Sequence, residues 1–163
     1  NIAAFSISVE GKSFPLLKSF PIAPREIFRS KIAKQVLLYV PLSLVAFLIV
    51  GFPLGFSFVS GVFALLFFIA YTVFSANLGL ILNLHYPNFD WKNEADVVKR
   101  GAPIMGSTFT SLGLGVILIP AYMLLPIESA ILRFLPILLF VSALAIGTEL
   151  WLQKRGEKKF LSL

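Results

Sequence analysis

Four stretches of this chain are long and apolar enough to cross a bilayer, and that feature leaves few folds open. They run from about Gln35 to Gly51, about Ser57 to Asn83, about Pro103 to Leu125 and about Ala130 to Leu152. Roughly 20 apolar residues in a helix cross about 30 Å of hydrocarbon. Only helices and closed barrels satisfy every backbone N–H and C=O group within lipid. Barrel strands alternate apolar and polar residues, whereas these runs are continuously apolar. The expected fold class is therefore an all-α integral membrane protein with four transmembrane helices. The second run, about 27 residues and about 40 Å as a helix, must tilt, bend or project.

Composition supports this reading. The chain is 58% hydrophobic and 13% charged, with 17 Phe against 2 Trp and 4 Tyr, and its mean hydropathy is +0.90. A soluble domain carries about 25% charged residues, so a soluble enzyme, a nucleic-acid-binding domain and a disordered chain are poor readings. The chain contains no Cys and one His. Disulfides, thiolate catalysis and Cys-ligated metals are excluded, and a single His builds no metal site alone.

The net charge of +6 is explained by where the cations fall. Between the first and second runs lies GFPLGF, and between the third and fourth PIES, both short turns on one side. Opposite them lie residues 9–34, residues 84–102 and the tail 153–163, which together hold thirteen of the 14 Lys and Arg; Arg133 alone lies on the turn side. Such asymmetry places the basic segments, including the carboxy terminus, in the cytoplasm of a multi-pass cell (plasma) membrane protein. The charge then serves topology and contact with the anionic lipid bilayer, with no nucleic acid partner needed. The opening NIAAFSIS carries no basic region before it, and residues 1–8 are expected to be the end of a preceding span in a longer protein.

Within residues 9–34, Pro15, Pro21 and Pro24 interrupt the chain, because proline removes a donor and restricts the residue before it. Pro24 suits a first helical turn. Beyond it Ile27, Phe28 and Ile32 form an apolar stripe among Arg25, Arg29 and Lys34. The segment is expected as an amphipathic, basic helix at the membrane surface leading into the first span. Gly11-Lys12-Ser13 imitates the end of a phosphate-binding loop, but the position five before Gly11 is Ser6 rather than Gly, so the backbone has no reason to converge on a phosphate. In residues 84–102, Asn93, Glu94 and Asp96 suit a helix start and Lys99 and Arg100 its end. Tyr86, Phe89 and Trp91 are placed as an interfacial aromatic belt would be.

Polar residues inside the spans fall into stripes. Ser107, Ser111 and Gly115 recur every four residues with Thr110 nearby; Thr72, Ala76, Gly79 and Asn83 form a second stripe, to which Ser75 and Asn77 add polarity. Small and hydrogen-bonding residues allow close helix packing in lipid; lining a substrate path is the alternative role. Glu149 is expected to reach toward Lys154 or Arg155, and Arg133 toward water. Pro120 and Pro136 permit bends. The acid, base and ligand candidates of a membrane-embedded lipid-modifying enzyme, His85, Asp90, Glu94, Asp96 and Glu149, show no metal-ligand spacing. A membrane scaffold or regulatory subunit without a transport path is a further alternative.

The run VEGKSFPLLKSFPIAPREIFRSK resembles the E-G-K-x-x-x-L-L-K-S-x-P-I-x-P-x-x-I-x-x-x-K pattern of permease subunits of ATP-binding-cassette (ABC) exporters, type-2 group. YPNFDWKNEADVVKRG is similar to a Y-P-x-x-D-W-x-N-x-x-x-x-V-K segment of the same permeases. The resemblance implies that residues 9–34 are the cytoplasmic coupling segment docking on an ABC ATPase subunit, with Glu10, Gly11, Lys12, Leu17, Lys18, Pro21, Pro24, Arg25 and Lys31 carrying ATPase coupling. It implies that the four spans are the third to sixth of a six-span permease half, paired with a second permease half or as a homodimer. Transport would proceed by alternating access. This chain would bind no cofactor, hold no catalytic site and use ATP only through its partner subunit.

Overall fold

The computed structural model describes residues 1–51, 53–89, 91, 101–126 and 129–163. The protein is all-helical, 84% helix, with no strand among the described residues. Two short 3-10 segments, Ala3–Phe5 and Ser8–Ser13, lead into α1 (Phe14–Ser19). There follow α2 (Pro24–Ala46), α3 (Phe58–His85), α4 (Ala102–Leu124), α5 (Ala130–Trp151) and α6 (Glu157–Ser162). A π-turn at Phe47–Gly51 extends α2, and another at Leu152–Gly156 joins α5 to α6. Among the described residues four helical stretches are long and apolar enough to cross a membrane: Pro24–Gly51, Phe58–His85, Ala102–Leu124 and Leu132–Ser162. A multi-pass membrane protein is consistent with this architecture.

Pro24 stands in the first turn of α2, as the sequence suggests, but that helix runs without a break into the first span. Its stripe of Ile27, Phe28 and Ile32 is buried against Leu84, Leu152 and Phe160. The amphipathic segment is thus the inner end of a spanning helix packed on its own neighbours. Pro41, Pro120 and Pro136 lie inside α2, α4 and α5, where each removes one intrahelical hydrogen bond.

The hub is α3, which packs on α5, α2 and α4, whereas α4 and α5 touch each other sparingly. Its 28 residues span about 42 Å. Ser57 caps its start by accepting from the Ser60 N–H at 3.2 Å, and Tyr86 followed by Pro87 ends it. The chain reverses beyond α2 through Gly55, whose φ of 75° favours glycine. The two ends of the bundle are therefore a turn end, at residues 53–57, 125, 126 and 129, and a basic end, where α1 and α6 lie.

Candidate functional site

At the basic end the N-terminal residues lie on α3, and the buried amide of Asn83 holds Ile7 and Ser8. Asn83, fully buried, accepts at Oδ1 from the Ile7 N–H (2.9 Å) and the Ser8 N–H (3.1 Å), and its Nδ2 donates to Ser8 Oγ at 2.7 Å. Ser8 in turn accepts from the Asn88 N–H at Oγ (3.0 Å) and from Trp91 Nε1 at its carbonyl (2.8 Å). The close approach needs Gly79, because a Cβ there would meet the Ala4 nitrogen at 2.9 Å and Asn1 at 2.8 Å. Gly11 has a φ of 49° and lies under the Trp91 ring, 2.9 Å from where a Cβ would stand. Both strain and space select glycine at that position.

Residues 9–34 are fastened on the side that faces the bundle. Lys31, nearly buried, donates from Nζ to Glu10 Oε1 at 2.9 Å and to the Ser6 carbonyl at 2.7 Å. Lys18 Nζ donates to the Leu161 carbonyl at 2.9 Å, and Arg25 pairs with Glu157 at 3.2 Å. Phe14 stacks on Phe89 with centroids 4.8 Å apart, and Phe160 meets Phe14 and Phe28 edge-on at 5.1 and 5.6 Å. Leu17 packs half-buried on the same core. Of the residues assigned to coupling by resemblance, Glu10, Lys18, Arg25 and Lys31 are thus engaged within the chain. The side chain of Lys12 lies outside what the structure describes.

The outer side of this segment is apolar and open. Leu16 is 66% exposed, Phe20 58% and Ile22 47%, with exposed Pro21 between the last two. They form a ridge across α1 and the loop before α2. Leu16 and Ile22 stand in the resemblance pattern, but Phe20 occupies one of its unspecified positions, and its only signal in the sequence is a large apolar residue beside a proline in a polar segment.

A second feature lies between the spans. Gln35, Tyr39, Tyr71, Thr72, Ser75, Thr108 and Ser111 line a cavity of about 340 Å³ bounded by α2, α3 and α4 and by Asn1. Ser111 Oγ bonds Ser75 Oγ at 3.2 Å, the Tyr71 hydroxyl donates to the Ser111 carbonyl, and Gln35 Oε1 accepts from the Ala3 N–H at 3.1 Å. Thr72, Ser75 and Ser111, expected from the sequence as packing or path residues, meet here. Their companions do not. Asn77 faces α5, donating from Nδ2 to the Ala145 carbonyl and Thr148 Oγ1, each at 3.2 Å, while its buried Oδ1 has no partner among the described residues. Gly79 contacts the N-terminal residues. Ser107 is buried and bonds the Ile104 carbonyl of its own helix. Gly115 approaches the Tyr71 hydroxyl at 3.8 Å, measured from where a Cβ would stand.

Two side-chain expectations change. Glu149 accepts from Gln153 Nε2 at 3.2 Å and forms no ion pair with Lys154 or Arg155, because Gln153 lies one turn on along the same face. Phe89 and Trp91 pack onto the N-terminal segment, and only Tyr86 of the three aromatic residues is openly exposed. Arg133 lies over the Tyr122 ring at 5.5 Å. The helix start expected at Asn93, Glu94 and Asp96, its end at Lys99 and Arg100, and Asp90 fall outside the described residues. Among the described residues no group of three His, Cys, Asp or Glu side chains could hold a metal ion. Comparison with family models, curated proteins and solved structures finds no match.

Proposed function

We propose that this chain is the membrane-spanning permease portion of an ATP-driven exporter of the type-2 ABC group, coupling ATP hydrolysis in a separate subunit to substrate translocation by alternating access. The observation that carries the reading is the two-sided construction of residues 9–34. Their inner face is bonded into the bundle through Lys31, Lys18 and Arg25. Their outer face presents Leu16, Phe20 and Ile22 to solvent. A transmitting element needs both: a surface for the moving partner and a stiff link to the helix that must move. The unbroken helix from Pro24 to Ala46 supplies that link.

On this reading the basic end faces the cytoplasm and the ATPase seats on the apolar ridge. The cavity between α2, α3 and α4, whose lining also includes Phe68 and Leu112, lies on the substrate path. Rotation of α2, driven through α1, would change the separation of Gln35 and Tyr39 from Thr108 and Ser111. The roles then divide: Leu16, Phe20 and Ile22, which the resemblance did not assign to coupling, contact the partner, while Glu10, Lys18, Arg25 and Lys31, which it did, position them.

The test is isolation of the full-length protein from its native membranes with its associated subunits. Wild type is expected to carry a vanadate-sensitive ATPase activity, and Leu16→Glu/Phe20→Glu to lose it at unchanged membrane abundance. A wild-type preparation without such activity, or an unaffected double variant, contradicts the proposal.

A further inference from the structure

A separate cleft at the basic end is built for an anion. It measures about 410 Å³ and is lined by His85, Trp151, Arg155, Lys158, Lys159 and Ser162. Three helices and a π-turn assemble it. His85 and Trp151 stand at the ends of α3 and α5, Arg155 lies in the π-turn, and Lys158, Lys159 and Ser162 lie on α6. The spacing 155, 158, 159 and 162 places these side chains on one helical face.

Among the described residues Arg155, Lys158 and Lys159 form no ion pair. The two acids nearest in sequence are occupied: Glu157 pairs with Arg25 at 3.2 Å, and Glu149 accepts from Gln153 at 3.2 Å. His85 is held by Nδ1 against the Ile81 carbonyl at 2.9 Å, and its ring lies 5.4 Å from that of Trp151. With Nδ1 so engaged, Nε2 is the ring nitrogen left for a ligand. A cleft whose described lining holds three cations and no carboxylate focuses positive potential.

We propose that this cleft binds the phosphate of an anionic phospholipid headgroup. Its position selects a lipid over a soluble anion. It opens where the apolar helices α3 and α5 end, beside a tryptophan of the kind that sits at headgroup level. Immediately toward the apolar side, α5 exposes Ile146 and Leu150, a surface suited to an acyl chain. Basic pockets between spanning helices on the positively charged side are a recognised form of headgroup site. Arg155, Lys158 and Lys159 contact the phosphate, and Trp151 packs on the glycerol region. This assignment does not depend on the transport reading.

The test uses the full-length protein in neutral detergent, with retained lipid measured by native mass spectrometry against equal amounts of phosphatidylglycerol and phosphatidylcholine. Wild type is expected to retain phosphatidylglycerol about tenfold over phosphatidylcholine. Arg155→Gln/Lys158→Gln/Lys159→Gln is expected to lose that preference, while Lys34→Gln, an exposed cation on α2 outside the cleft, keeps it. If the triple variant does not fold, Arg155→Gln and Lys159→Gln singly are each expected to lower the preference severalfold. Equal retention of both lipids by wild type, or an undiminished preference in the cleft variants, overturns the proposal. Competition by inorganic phosphate as effective as by phosphatidylglycerol would identify a free-anion site and overturn the lipid assignment. Displacement by polyglutamate in preference to phosphatidylglycerol would identify an acidic protein partner and overturn it equally.

Discussion

The two ends of this bundle are held together by different physics. At the basic end Ala3, Ile7, Phe14, Ile27, Phe28, Ile32, Ala76, Leu80, Leu84, Leu152 and Phe160 form one buried core, drawn from segments far apart in sequence. Buried polar groups at Asn83, Ser8 and Gln35 fix the N-terminal residues upon it. At the turn end Leu48, Ile49, Val50, Leu54, Phe56 and Phe58 are exposed, and close packing falls largely to the Phe47 ring in the space left by Gly51 and Gly61. Surface that lipid covers gains little from being buried by protein, so an apolar turn end can stay open. The basic end instead has a packed core and satisfied hydrogen bonds. The stiff end is thus the one that carries the candidate docking ridge.

This contrast can be broken most severely at Asn83. Asn83→Leu leaves the Ile7 and Ser8 N–H groups buried without acceptors, which is expected to cost about 3 kcal/mol or more. It should appear as a large fall in the midpoint of thermal aggregation in detergent, with new proteolytic cleavage near residues 1–13. An unchanged midpoint would mean that the N-terminal segment is not held by this amide. Phe160→Ala removes the ring shared by Phe14 and Phe28 and is expected to cost about 3 kcal/mol through the cavity it leaves. Release of α6 to protease ahead of the spanning helices would be the corresponding observation.

The turn end should respond more weakly. Gly61→Ala places a methyl group 2.6 Å from Phe47, but that ring has open apolar surroundings into which it can swing, so about 1 kcal/mol is expected. A loss equal to that of Asn83→Leu would show that the turn end is as tightly built as the other. Smallest of all is Arg25→Gln. Its ion pair with Glu157 is solvent-exposed, 51% and 31% by side chain, and such pairs are worth about 0–1 kcal/mol. Its thermal midpoint should stay within measurement error of wild type. A large shift would make the pair a principal anchor of α6.

What the sequence disclosed follows from the range of the interactions. Continuous apolar runs are local, and all four spans were legible, as was the start of α2 at Pro24. The basic-end core was not. Asn83 sits in a stripe that reads as ordinary helix packing, and its partners Ile7 and Ser8 lie about 75 residues away. Lys31 reads as one cation among many until Glu10 is placed beside it. The tail reads as a solvated basic run, yet Leu152, Gly156 and Phe160, at every fourth position, are all buried. That periodicity was present in the sequence, masked by the Lys and Arg residues between. The cavity lined by Thr72, Ser75 and Ser111 was half legible: the small polar residues stood out, but which helix they face depends on the packing of α3.

The central claim is that the apolar ridge on α1 and the following loop receives an ATPase. The chain contains no cysteine, so Phe20→Cys introduces a unique handle in it for a maleimide photocrosslinker, with Leu54→Cys at the turn end as the control position. In native membranes the account predicts a crosslink from position 20, and not from position 54, to a polypeptide carrying a phosphate-binding loop, with a yield that changes on adding ATP. No crosslinked ATPase from position 20, or equal yields from both positions, would contradict it.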